Sequence, residues 1–213
     1  MMEMSMGNRT HLLRGLLSCS LAAILSLSMS VAQAQSVDPA ENPRVLMKTT
    51  DGDITIELFA DKSPITVENF LQYVDDGHYD GTVFHRVISN FMIKGGGFDT
   101  ELKEKPTRDP IVNESKNKLH NTRGTLAMAR TSDPNSATAQ FFINQRSNLR
   151  LDWSGGKDGY TVFGEVIDGM QVVDIISLTD TGSAQAQTTR GSTVFQDVPL
   201  QPIVILSVTR LTP

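Results

Sequence analysis

Residues 84 to 98 read FHRVISNFMIKGGGF, which sets a histidine, an arginine and a lysine among aromatic and aliphatic side chains and ends on three glycines. The stretch holds no nucleophile and no carboxylate. The usual devices for making or breaking bonds are missing elsewhere as well. Gly155-Gly156-Lys157 is followed by Asp158 where a phosphate loop needs Ser or Thr, and its upstream glycine is absent. Gly95-Gly96-Gly97 lacks the spacing and the helix of a dinucleotide site, and the chain contains no G-x-S-x-G elbow. His78, His85 and His120 form no H-E-x-x-H pattern and read as structural histidines. No metal and no cofactor are expected.

What remains is Arg86 on a strand beside Phe91 and Met92. That combination suits a reaction in which no covalent bond is made or broken. Rotation about an X-Pro amide is opposed by delocalisation of the nitrogen lone pair into the carbonyl, with a barrier of ~18–20 kcal/mol. A guanidinium donating to the prolyl nitrogen favours the twisted state, where the lone pair is localised, over either planar state. An apolar wall would hold the pyrrolidine ring while the rest of the amide turns.

The elements that must position these groups follow from periodicity. Val45 to Thr49 and Ile54 to Leu58 flank Asp51-Gly52, which predicts a hairpin. Ser63 then Pro64 predicts an N-cap and first turn, followed by Val67, Phe70, Leu71 and Val74 at helical spacing. Strand-like runs follow at Thr82 to Ile88, Phe91 to Lys94, Gly124 to Ala129, Gln140 to Ile143, Thr161 to Val166 and Ile203 to Leu211, with a second helix from about Met170 to Leu178. About eight strands and two helices predict a mainly β fold, a closed eight-stranded antiparallel barrel capped by the helices. Ser183 to Ser192 reads as a mobile loop.

FHRVISNFMIKGGGF, with GTLAMA (124 to 129), AQFFIN (139 to 144), LD (151 to 152) and YTVFGEV (160 to 166), resembles the cyclophilins, peptidyl-prolyl cis-trans isomerases, over about Val45 to Leu211. The absence of cysteine from the secreted part is similar to the periplasmic bacterial branch. The resemblance implies the same barrel and assigns roles by position. Arg86 is the donor to the prolyl nitrogen, and Phe91, Met92, Phe142 and Leu151 are the proline pocket. Gln140 engages the substrate backbone, Ala129 contacts the residue before proline, and Tyr160 falls where many relatives have histidine. Phe141, Met128 and Val87 are expected to face the interior. Two positions depart from the pattern. Lys94 stands where a glutamine usually helps to hold the arginine, and Arg150 stands where drug-sensitive eukaryotic members carry tryptophan, with Trp153, three residues on, the candidate substitute. A proline-binding or chaperone-like module with low turnover is the alternative to an active isomerase.

The chain around this region sets the context. Arg9, His11 and Arg14 precede an apolar, serine-containing run that closes on Ala32-Gln33-Ala34, the order of a secretory signal peptide cleaved after residue 34. A membrane anchor is disfavoured because the run falls short of ~20 strongly apolar residues. A lipid-attachment box at Leu16-Leu17-Ser18-Cys19 is disfavoured because the run continues past Cys19. Residues 35–43 read as a flexible leader and 44–213 as one isomerase domain. The only cysteine, Cys19, leaves with the signal, which excludes disulfides and thiol chemistry from the mature chain. Cleavage removes Arg9, Arg14 and Glu3, so 19 basic and 24 acidic residues fall to 17 and 23, a mildly acidic balance that argues against nucleic acid. The expected partners are proline-containing polypeptides, met by a periplasmic monomer without stable membrane association.

Overall fold

The computed structural model describes residues 42–212; the assigned signal peptide and most of the assigned leader lie outside the described residues. The last two leader residues are tied down, because Asn42 Nδ2 donates to Glu57 Oε1 (3.2 Å) and the Pro43 carbonyl accepts from the Leu58 amide (2.8 Å). Strands β1 (Arg44–Thr49) and β2 (Gly52–Leu58) form the expected hairpin with Thr49 opposite Gly52. The Thr49 hydroxyl closes the turn by donating to the Gly52 carbonyl (2.7 Å) and accepting from the Asp51 amide (3.1 Å).

Helix α1 (Pro64–Asp75) begins where the proline predicts, since a first-turn residue has no intrahelical use for an N–H. Its cap differs from expectation. The Ser63 hydroxyl donates instead to the Val162 carbonyl (2.8 Å), and the carboxylate of Glu114 accepts from the Ile65 and Thr66 amides (3.2 and 2.8 Å). A loop 48 residues downstream therefore supplies the anion that the helix N-terminus favours.

The run from Thr82 to Ile88 is two strands, β3 (Thr82–Val83) and β4 (Arg86–Ile88), separated by Phe84-His85. Strands β5 (Met92–Gly95), β6 (Thr125–Met128), β7 (Phe141–Asn144) and β8 (Val162–Asp168) precede helix α2 (Met170–Ser177). The chain ends with β9 (Thr181–Thr188), β10 (Gly191–Pro199) and β11 (Val204–Leu211). Nine strands form one curled sheet in the order β3-β11-β1-β2-β8-β6-β7-β5-β4. The closed eight-stranded barrel is thus corrected in one respect. The edge strands β3 and β4 do not pair, and the covalent link Phe84-His85, which spans at most ~11 Å, joins the two edges. A second correction concerns the segment read as a mobile loop, which lies in the two-stranded β9–β10 hairpin.

Strand alternation divides the apolar residues into two sets. Ile93, Leu126, Met128, Phe141 and Ile143 point inward and join Val45, Ile56, Phe70, Tyr79 and Phe163 in the main core, closed by α1 and α2. Their neighbours Met92, Ala127, Ala129 and Phe142 point outward with Val162 and form a second cluster against Phe91, Leu151 and Tyr160. Strands β5, β7 and β6 therefore carry apolar residues on both faces, and among the described residues no helix covers the outer one.

The three glycines make this packing possible in separate ways. A Cβ on Gly95 would lie 3.0 Å from Phe84 Cδ1, and one on Gly97 would overlap Gln140. Gly96, at φ +83°, would bring a Cβ to 2.8 Å from Phe141 Cε1 and 2.9 Å from Tyr79 Cε1. Gly96→Ala is expected to lose about 2–5 kcal/mol, combining the cost of a left-handed backbone with that of overpacking. Gly81→Ala, at φ +75° with no atom within 4 Å of the new Cβ, is expected to lose only the backbone cost, about 1–2 kcal/mol. Urea denaturation of both variants measures the difference, and equal losses would contradict the packing assigned to Gly96.

Candidate active site

The outer face of β4, β5 and β7 carries a cavity of about 170 Å³ lined by Arg86, Phe91, Met92, Lys94, Ala129, Arg130, Phe142, Leu151 and Tyr160. Residues singled out from the sequence and more than 70 positions apart thus line one cavity. Gln140 is the exception. It lines an adjoining basin of about 620 Å³ that shares Lys94, Ala129 and Arg130 with the first cavity and is walled beyond them by the β9–β10 hairpin.

Alternation places the walls. Met92 and Lys94 lie on the same face of β5, with Lys94 opposite Phe142 on β7, so both enter the cavity while Ile93 enters the core. The Phe142 ring meets Tyr160 edge-on at 5.6 Å, which fixes the far wall. Val87, Met128 and Phe141 are buried in the main core, as alternation predicts.

Two guanidinium groups stack on the aromatic walls. Arg130 Cζ lies 4.6 Å from the Tyr160 ring centre, with its nitrogens donating to the carbonyls of Thr131 (2.9 Å), Asp158 (2.7 Å) and Gly159 (3.2 Å). Arg150 Cζ lies 4.6 Å from the Phe91 ring centre. The departure at Arg150 is therefore accommodated by a cation–π contact that covers part of the apolar wall. Trp153 is exposed and lines none of these cavities.

The mouth is held by buried amides that the sequence reading passed over. Asn148 Nδ2 donates to the Phe91 carbonyl (2.9 Å) and to Asn144 Oδ1 (2.8 Å). The Asp152 carboxylate accepts from the Asn121 amide (2.7 Å) and side chain (2.8 Å) and meets His120 Nδ1 at 2.8 Å. Leu151 is fixed between these anchors, and its carbonyl accepts from Tyr160 N–H (2.8 Å). Only Asn144, which closes the apolar run Phe141-Phe142-Ile143, carries a local signal, since a polar side chain buried there must find partners.

Arg86 stands at the rim, its side chain 46% exposed, and its Nε donates to Asp197 Oδ2 at 3.3 Å. Asp197 has φ +61° where the β9–β10 ladder is irregular between Phe195 and Val198. The aspartate tolerates this conformation, and it carries the carboxylate out to the arginine. A contact this exposed adds little stability. Its consequence is orientation, because occupation of Nε leaves the two terminal nitrogens to donate elsewhere.

Lys94 is directly opposite Arg86 across the β4–β5 ladder. Burial, and after it the neighbouring Arg86 charge, pulls its ammonium from the ordinary lysine range down to about 8, with Glu104 opposing. Nearby His85 is buried between Phe98 and Phe195, and burial followed by the Lys94 charge holds its imidazole well below the usual range. It is neutral at neutral pH and structural.

Comparison with known proteins meets this geometry. The family model described as cyclophilin type peptidyl-prolyl cis-trans isomerase/CLD matches residues 44–210. A peptidyl-prolyl cis-trans isomerase of Acinetobacter baylyi is 55% identical over 167 residues, covering 78% of this chain and 85% of that protein. Peptidyl-prolyl cis-trans isomerase B of Escherichia coli is 53% identical over 168 residues, covering 78% and 98%. A cyclophilin type isomerase of Cryptosporidium parvum, solved in the presence of the dipeptide Ala-Pro, superposes with a TM-score of 0.64 at 26% identity, covering 80% of this chain and 99% of its own. The match runs from β1 to β11 and takes in every residue of the groove, and the chain belongs to the cyclophilin-type peptidyl-prolyl cis-trans isomerases.

Proposed function

We propose that this isomerase acts on exported polypeptides, turning their X-Pro bonds in the 170 Å³ cavity with Arg86 as the catalytic donor. The observation that carries the site reading is the position of one oriented guanidinium at the edge of a small cavity with aromatic and aliphatic walls. Cofactor pockets occupy ~300–1,000 Å³, and this space suits a single small ring. Phe91, Met92, Phe142 and Leu151 take the pyrrolidine, with Tyr160 closing the far side. The polypeptide before the proline runs towards Gln140. The Ala129 amide already donates to the Gln140 carbonyl (2.9 Å), so a substrate strand laid here meets the Ala129 carbonyl as an acceptor.

In the planar amide the prolyl nitrogen has no lone pair to offer, and Arg86 gains little from it. As the bond twists, the lone pair localises and a terminal guanidinium nitrogen can donate to it. The donor thus stabilises the transition state more than either ground state, which is the condition for acceleration. Arg86→Ala is expected to lose about 10²-fold or more in kcat/KM on an Ala-Pro peptide, with thermal unfolding little changed. Arg86→Lys is expected to recover little, because a point charge lacks the fork that engages Asp197 and the substrate together. Unchanged turnover in a folded alanine variant, measured by a protease-coupled assay, would refute this role.

Export is supported by the basic start, the apolar run and Ala32-Gln33-Ala34. The location that follows is the periplasm, where the chain would assist folding of other exported proteins, whose X-Pro bonds isomerise in ~10–100 s unaided. N-terminal sequencing of the protein recovered from the cell envelope is expected to begin at Gln35. A lipid-modified Cys19 or a retained Met1 would contradict this assignment.

A further inference from the structure

Lys94 occupies a costly position. Like charges directly opposite on neighbouring strands destabilise a sheet, and Lys94 faces Arg86 in this way. The ammonium is largely withdrawn from water, yet it makes no hydrogen bond or ion pair among the described residues. Arg86 is engaged by Asp197 through its Nε, and Glu104, the acid whose charge favours the ammonium, is occupied by the Thr189 amide and hydroxyl (2.8 and 3.2 Å). The 170 Å³ cavity adds Arg130 to Arg86 and Lys94, and no carboxylate lines it. In the adjoining basin Lys94, Arg130 and Arg190 outnumber the single acid Glu104. A protein that is acidic overall thus has a cationic groove, and Lys94, partly buried, lines both the cavity for proline and the basin that leads away from it.

We propose that Lys94 is a specificity residue that accepts an acidic side chain, Asp or Glu, carried by either of the two residues preceding the substrate proline. The proposal rests on the reading of the cavity as the proline site. A carboxylate there supplies the partner that the fold withholds, and it relieves the repulsion between Lys94 and Arg86 while it is bound. A neutral glutamine in the same place can accept from the ammonium but brings no charge, so its gain is smaller. The preference also has a pH signature. The titratable and charged groups around Lys94 are Arg86 on β4 with His85 before it, Arg130 and Tyr160 in the shared cavity, and Glu104 and Arg190 across the basin. Lys94 loses its proton as pH rises through about 8. The preference for acidic substrates is therefore present below that pH and declines above it.

The test compares kcat/KM for peptides with Glu, Gln, Ala or Lys at each of the two positions before proline, on the wild type and on Lys94→Gln, Lys94→Met and Lys94→Arg. The readout is the Glu-to-Gln ratio within each protein, so changes in basal activity cancel. The wild type is expected to favour Glu over Gln by about tenfold at one of the two positions at pH 6.5, the worth of a charge-assisted hydrogen bond. The ratio should approach one at pH 9.5 and in the Gln and Met variants, and persist in the Arg variant. A wild-type ratio near one, or a ratio that survives in Lys94→Met, would overturn the proposal. Loss of all turnover on the neutral peptide in the wild type is a different result, because it would overturn the proline-site reading and the proposal with it.

Discussion

The groove exists because β5, β7 and β6 alternate apolar residues on both faces. A strand with one polar face can dispose of its apolar side chains in a single core, whereas these strands cannot. One set packs beneath α1 and α2; the other, centred on Met92 and Phe142, is left outside. Aromatic and aliphatic side chains from the chain on either side, Phe91, Leu151 and Tyr160, pack against that outer set and shape a cavity of about 170 Å³. The glycines that follow β5 serve the inner set and the groove together, because any side chain on Gly96 or Gly97 would press on Phe141, Tyr79 or Gln140.

Charge then decides what the apolar cavity can do. Arg86 is held at its Nε by Asp197 and faces Lys94 across the ladder, so its orientation is set by an acid on one side and a cation on the other. Neither contact contributes much to stability, and the Lys94 contact opposes it. Their effect is on the direction in which the terminal nitrogens point and on the charge that an incoming chain meets. The guanidinium groups of Arg130 and Arg150 act differently, as flat covers over Tyr160 and Phe91.

Much of this was legible in the sequence. The period-two runs located the central strands and turned Phe141 inward, the family resemblance placed Phe142 in the pocket, and the proline after Ser63 located the start of α1. Long-range features were not legible. The edges of the sheet depend on which strands pair, and nothing local in Thr82 to Ile88 marks Phe84-His85 as the link between edges. The β9–β10 hairpin is made of Thr, Ser, Gln and Ala with few apolar residues, so its composition reads as a loop although its ladder is long. Asp197 lies 111 residues from Arg86, and only the hairpin brings the two together. Glu114 capping α1 and the amides of Asn121, Asn144 and Asn148 were hidden for the same reason, since their partners are distant in the chain.

The central claim is that a proline ring enters the apolar cavity with its nitrogen facing Arg86. A crystal structure of the protein with an Ala-Pro peptide tests this directly. The pyrrolidine is expected to contact Phe91, Met92 and Phe142, with a terminal guanidinium nitrogen of Arg86 within about 3.5 Å of the prolyl nitrogen and Nε still donating to Asp197. A proline bound elsewhere, or bound in the cavity with Arg86 turned away towards solvent, would contradict the account.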